Sequence, residues 1–144
     1  MIFREYELEK KRFREAWELL AEVLTEKAQL FARTQPQAIR SDKEKVSGGE
    51  AGDAFSEYLI AKERNNIDAR LEEAKRIVDD GLKILELKEK ELRRSRRLHD
   101  EVYTMRYLDG KSASEISNKK AYSRGRIYQI LAEISKELDR IRQS

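Results

Sequence analysis

The sequence contains no cysteine, a single proline and six glycines among its 144 residues. Without cysteine, the chain can form neither disulfides nor thiolate metal sites. Because residues that favour turns are scarce, a sheet of many short strands is poorly supported. No run of about 18 apolar residues occurs, so no segment is predicted to span a membrane. These absences together predict an all-α protein built mainly from long helices.

Charged residues make up 41% of the sequence and hydrophobic residues 39%. This balance is low in hydrophobic content for a compact globule, but it is typical of long amphipathic helices with solvated faces. The N-terminal stretch is charged throughout and lacks the apolar segment of a secretory signal. We therefore expect a cytoplasmic protein.

The charge is distributed unevenly along the chain. Residues 93–144 contain 13 lysines and arginines against 7 acidic residues, a net charge of +6, whereas residues 1–92 have a net charge of −3. A basic final third beside an acidic remainder predicts that the final third binds a polyanion.

The first long segment, residues 4–34, has apolar residues at the spacing of a helix that packs along another helix. Its seam is predicted at Tyr6, Phe13, Trp17, Leu20, Leu24 and Phe31, widened by Leu19, Val23 and Leu30. Pro36 is predicted to end this helix, because proline cannot donate the next backbone hydrogen bond.

The second long helix is predicted to start near Asp53 and to have a more regular seam. Its apolar steps alternate between four and three residues, which is a heptad pattern. The positions are Ile67, Leu71, Ala74, Val78, Gly81, Leu85, Lys88 and Leu92. Gly81 and Lys88 interrupt the apolar series, and Gly81 would permit either a close approach of the neighbouring helix or a local bend.

Residues 35–52 lack periodicity and contain the only proline and three glycines, so we expect a flexible loop. A single loop between two long helices predicts an antiparallel, coiled-coil-like hairpin over residues 1–97. The alternative is that one of the stripes pairs with a second copy of the chain, which would give a homodimer. The Arg93–Arg97 cluster allows two interpretations, a solvated helix end or a phosphate-contacting patch.

The last part of the chain, residues 98–144, is predicted to be a separate module with short elements. Residues 98–110 form a helix ended by Asp109-Gly110, and Ser112 with Glu115 matches a capping box. A short helix over 113–119 and a turn at 120–122 follow. Ser123 is then predicted to cap a longer helix, whose apolar positions are Ile127, Ile130, Leu131, Ile134 and Leu138.

A short helix, a tight turn and a longer helix are typical of the helix-turn-helix motif, in which the second helix enters the DNA major groove. The outward residues at the start of that helix are Arg124, Gly125, Arg126, Tyr128 and Gln129. Arginine reads guanine and glutamine reads adenine through paired hydrogen bonds. Lys119, Lys120 and Ser112 are candidate phosphate contacts. The alternative is a solvated helix face, with Tyr128 packed against the protein.

The stretches EVYTMRYLDGKSASEIS and YSRGRIYQILAEISKEL, which lie within residues 100–141, resemble region 4 of sigma-70-type sigma factors. The whole layout is similar to phage and prophage transcription regulators of Gram-positive bacteria, including the ArpU-type group. The resemblance implies base contacts by Arg124 and Gln129 at a promoter, with RNA polymerase as a further partner. Gly125 stands where region 4 usually has glutamate, which implies a different target sequence.

These patterns predict a sequence-specific, DNA-binding transcription regulator rather than an enzyme. His99 is the only histidine, and no nucleophile, phosphate-binding loop or group of metal ligands accompanies it, so neither a cofactor nor a metal is expected. The alternative is an adaptor that binds RNA polymerase or a second copy of the chain, and whose region 4-like module does not read DNA.

Overall fold

A computed structural model describes residues 1–40 and 50–143 of the chain. The described part is all-helical and contains no strand, which confirms the predicted fold class at that level. The helices are α1 (Ile2–Arg40), α2 (Glu50–Arg94), α3 (Leu98–Tyr103), α4 (Ala113–Lys120) and α5 (Arg124–Gln143). A π-helical segment, Thr104–Leu108, continues α3. Within the described residues, no helix has the length and apolar character needed to cross a membrane.

The bounds of the long helices differ from those expected. Helix α1 continues through Pro36 to Arg40, and α2 begins at Glu50, so both extend into the predicted loop. Proline removes one backbone donor, and the remaining hydrogen bonds of a 39-residue helix can carry the chain past it. The centre of that loop, residues 41–49, lies outside the described residues, and its flexibility stays a prediction.

The structure divides into two compact units, and the division does not follow the expected boundary at residue 98. One unit contains residues 15–79, and the other contains residues 1–14 together with the chain from Asp80 onward. We call them the middle unit and the terminal unit. Helices α3, α4 and α5 therefore share their unit with the first turns of α1 and the last turns of α2.

In the middle unit, segments of α1 and α2 bury apolar residues along a seam. The buried residues of the seam are Ala16, Leu20, Val23 and Leu30 from α1, and Ile67, Leu71, Ala74 and Val78 from α2. Ion pairs flank it, from Glu26 to Arg70 at 2.6 Å and from Lys27 to Asp68 at 3.0 Å. The α2 seam is the predicted one.

The α1 seam is only partly the predicted one. Trp17, Leu24 and Phe31 were expected to be buried, but they expose 50%, 46% and 56% of their surface. Val23 and Leu30, expected beside the seam, are buried in it. The apolar stripe of α1 is wider than the groove it faces, so register with α2, rather than side-chain size, decides which residues are covered.

The core of the terminal unit is centred on Tyr103, which is fully buried. Its ring stacks on Phe3 with centroids 5.2 Å apart and meets Tyr6 edge-on at 6.3 Å. Burial and a hydrogen bond from its hydroxyl to Glu7 raise the pKa of Tyr103. The same core contains Val102, Ile116, Ile127, Ile130 and Ile134, so the first turn of α1 packs into the core that supports α4 and α5.

A buried carboxylate holds the start of α1 in this unit. Asp100 is fully buried and accepts hydrogen bonds from the backbone amides of Phe3 at 3.0 Å and Ile2 at 3.3 Å. The Ser95 hydroxyl donates a third bond at 2.6 Å. The first amides of a helix have no partner within the helix, so Asp100 acts as an N-cap supplied by a distant part of the chain.

In the same unit, the ring of Phe13 approaches Gly81 so closely that an added Cβ would lie 3.2 Å from Cδ2. This contact confirms the close approach predicted at Gly81. Near the end of the π-helical segment, the Asp109 amide donates to the Thr104 carbonyl at 3.0 Å. Gly110 then adopts a positive φ of 71°, as the predicted helix end requires.

Candidate nucleic-acid interface

Helix α4 begins at the predicted cap. The Ser112 hydroxyl oxygen accepts from the Glu115 amide at 3.2 Å, and the same hydroxyl donates to the Glu115 carboxylate at 3.2 Å. Ile116 at the centre of α4 is fully buried. The cap fixes the direction in which α4 leaves Ser112, and the buried isoleucine fixes which face it turns to the core. Ser112 itself remains exposed, as a phosphate contact requires.

The connection between α4 and α5 is a three-residue turn, Ala121 to Ser123. Ala121 adopts the left-handed conformation, with φ 58° and ψ 29°, where such turns usually carry glycine. For an alanine this conformation costs about 1–2 kcal/mol. The Ser117 hydroxyl, which bonds the Tyr122 carbonyl, helps to hold the turn in this shape. The turn therefore begins one residue later than predicted, because Lys120 is still part of α4.

Ser123 caps α5 as predicted. Its hydroxyl accepts from the Arg126 amide at 3.2 Å, and its carbonyl accepts from the Ile127 amide at 3.1 Å. Ile127 and Ile130 are fully buried, so they orient α5 on the core. The opposite side of the first two turns must then face outward.

The outward side of these turns presents the predicted base-reading residues. Arg124, Gly125, Arg126 and Gln129 are exposed, and Tyr128 exposes 61% of its surface. The alternative that Tyr128 packs against its own chain is therefore wrong. The Arg126 guanidinium donates to the Gln129 side-chain oxygen at 3.0 Å. An amide oxygen has two lone pairs, so Gln129 can accept this bond and still present a donor and an acceptor to adenine.

Gly125 lies on this side, in helical conformation and in open space. A Cβ added there would meet no atom within 4 Å. Glycine within a helix is less stable than alanine by about 0.5–1 kcal/mol, and no contact in the described structure requires it. Because residue 125 has no side chain, the backbone of α5 is uncovered between Arg124 and Arg126.

The two lysines at the end of α4 differ in their surroundings. Lys119 is exposed, and Lys111 lowers its pKa, first through a side-chain hydrogen bond and then through repulsion between like charges. Lys120 is half-buried and forms an ion pair with Glu101. Of the two predicted phosphate contacts, Lys119 is therefore the more accessible, and Lys120 joins α4 to α3.

His99 also joins two helices. Its Nε2 lies 2.5 Å from a carboxylate oxygen of Glu133 on α5, and this hydrogen bond lowers the pKa of Glu133. In the described part of the chain, no three histidine or acidic side chains are grouped as a metal ion would require.

Sequence reasoning missed the contribution of α1 and of Asp100 to the unit that carries this surface. Asp100 is polar and lies in a charged stretch, so no sequence signal marks it as buried. The apolar residues Phe3 and Tyr6 are a weak signal, because they extend the helical stripe to the very start of α1.

Comparisons with protein-family models, curated proteins and solved structures give no match for this chain. The resemblance to region 4 therefore depends on the motif residues alone.

Proposed function

We propose that the chain is a sequence-specific, DNA-binding transcription regulator that reads a promoter through α5. The module would be a helix-turn-helix made by α4, the turn at Ala121 and α5. One observation carries the proposal: the first two turns of α5 bury Ile127 and Ile130, and they expose two arginines, a tyrosine and a glutamine on the other side. Arginine and glutamine are residue types that read base edges in the major groove.

The exposed Gly125 supports the same interpretation. A glycine within a helix destabilises the free protein, and at Gly125 no contact within the described structure requires the absence of a side chain. Close approach of a ligand to the backbone of α5 supplies a reason for it. By the resemblance to region 4, we assign that ligand as promoter DNA, and a phage or prophage origin and binding to RNA polymerase remain predictions of the same resemblance.

The test is selection of bound duplexes from random DNA at low salt, followed by fluorescence anisotropy on a selected and a scrambled duplex. Gln129→Ala should remove about 1–3 kcal/mol of discrimination between the two duplexes. Gln143→Ala, in the last turn of α5, is the matched control and should leave it unchanged. If the wild-type chain enriches no sequence and binds no duplex at low salt, the proposal is wrong.

A second function, assembly through the long helices, is favoured by the exposed apolar residues of α1. Trp17, Leu24 and Phe31 follow one another at steps of seven residues, which places them on one side of the helix. A stripe with this repeat matches the same stripe on a second copy, so we propose a homodimer in which long helices of two chains form the coiled coil. Light scattering should give a molar mass of twice the chain mass of 17.0 kDa. Leu24→Glu should lower the measured mass to that of a single chain.

A further inference from the structure

A basic cavity lies in the terminal unit, where the break after α2 meets the π-helical segment and the end of α4. Its volume is about 670 Å³. The cations that line it are Arg93, Arg94, Arg96, Lys119 and Lys120. The arginine cluster and the α4 lysines, which are far apart in the sequence, therefore surround one space.

Two of the five cations are neutralised within the protein. Arg93 forms ion pairs with Asp109 at 3.2 Å and with Glu89 at 3.3 Å, and Lys120 forms one with Glu101. These carboxylates fix the walls of the cavity, because each joins two different elements or two turns of α2.

The other three cations lack such a partner. Among the described residues, the structure shows no ion pair that involves Arg94, Arg96 or Lys119. Lys119 also lies beside Lys111, and a hydrogen bond between the two side chains, followed by repulsion between like charges, lowers the pKa of Lys119, while attraction to Asp109 opposes this only in part. An anion in the cavity would relieve this repulsion and supply the missing counter-charge.

The cavity is close to the base-reading turns of α5 along the chain. Lys120 is four residues before Arg124, so their Cα atoms are at most roughly 14 Å apart. That separation is comparable with the width of the major groove, about 12 Å, across which base edges and backbone phosphates lie. A duplex read by α5 can thus bring its backbone to the cavity.

We propose that Arg94, Arg96 and Lys119 form a phosphate-binding subsite, in which the DNA backbone occupies the cavity while α5 reads the adjacent base edges. This inference depends on the proposed function and extends it. It assigns Arg94, at the end of α2, and Arg96, just after it, to the part of DNA affinity that is independent of sequence. Guanidinium groups suit this role because they bind phosphate oxygens through paired hydrogen bonds.

The test compares the double variant Arg94→Gln/Arg96→Gln with Arg140→Gln/Arg142→Gln, which removes the same charge from the far end of α5. Each phosphate contact contributes about 0.9 to the slope of log affinity against log salt concentration. The first variant loses two phosphate contacts, so the steepness of this slope should fall by about 1.8. Its binding to a selected and to a scrambled duplex should weaken equally. The control variant should keep the wild-type slope. Equal thermal midpoints would show that both variants are folded.

The outcomes separate this inference from the proposed function. If the wild type prefers the selected duplex and Arg94→Gln/Arg96→Gln keeps the wild-type slope, the subsite is wrong and the proposed function stands. If the wild type binds no duplex, both are wrong. Calorimetry with tripolyphosphate distinguishes a free polyphosphate from the DNA backbone. Binding of tripolyphosphate that the double variant abolishes, with an unchanged salt slope on DNA, would assign the cavity to a free anion and overturn the inference.

Discussion

Asp100→Ala tests whether the distant cap holds α1 in the terminal unit. The substitution removes three hydrogen bonds to a buried carboxylate, from Phe3, Ile2 and Ser95. The Ser95 hydroxyl and the Ile2 amide are partly exposed and can turn to water, whereas the buried Phe3 amide cannot. Loss of a cap costs about 1 kcal/mol and an unsatisfied buried amide about 1–3 kcal/mol. We therefore expect a loss of about 3 kcal/mol in the free energy of unfolding.

For a chain of this length, about 3 kcal/mol corresponds to a fall of roughly 10 °C in Tm, measured by circular dichroism. Asp139→Ala is the control, because Asp139 is an exposed aspartate of the same unit, and it should change stability by less than about 0.5 kcal/mol. Hydrogen exchange should locate the effect, with the Phe3 amide losing protection. If Asp100→Ala lowers stability no more than Asp139→Ala does, the carboxylate does not cap α1.

Phe3, Gly125 and Glu133 of the terminal unit can each be tested by one substitution. Phe3→Ala should cost about 3–5 kcal/mol in chemical denaturation, because the ring is fully buried, whereas Leu8→Ala, at a side chain that is 39% exposed, should cost less than about 1 kcal/mol; equal losses would refute the packing. Gly125→Ala should stabilise the free protein by about 0.5–1 kcal/mol and weaken DNA binding in anisotropy, and tighter binding would contradict the assigned role. Since His99 lowers the pKa of Glu133, their contact adds stability above the ordinary glutamate pKa and loses it as pH falls through the lowered value. Glu133→Gln should therefore flatten the acid limb of a stability–pH profile, and an unchanged limb would exclude this contribution.

The local structure of α4 and α5 could be predicted closely from the sequence, because short-range rules govern it. The caps at Ser112 and Ser123 depend on residues within four positions of each other, and the burial of Ile127 and Ile130 follows from helical spacing. The seam of α2 was predictable for the same reason, because its heptad pattern places the apolar residues on a single face of the helix.

Contacts between distant parts of the chain could not be predicted in this way. The apolar stripe of α1 permits more than one register against α2. The predicted seam followed large side chains such as Trp17, whereas the small Ala16 is the residue that is buried. The Lys120–Glu101 ion pair and the cap from Asp100 join elements whose proximity depends on the packing of the whole terminal unit. Periodicity in one segment carries no information about such partners.

The make-up of the terminal unit has a consequence for the order of events during synthesis. The hydrogen bond between Phe3 and Asp100 spans 97 residues, so at about 5–20 residues per second the two groups are made roughly 5–20 s apart. Until Asp100 has been made, the apolar start of α1 has no core to pack against, and the core of the terminal unit cannot form. The exposed face of α5, which we propose reads DNA, would therefore become ordered only after the start of α1 and Asp100 can meet, so a shorter nascent chain could not bind the proposed target.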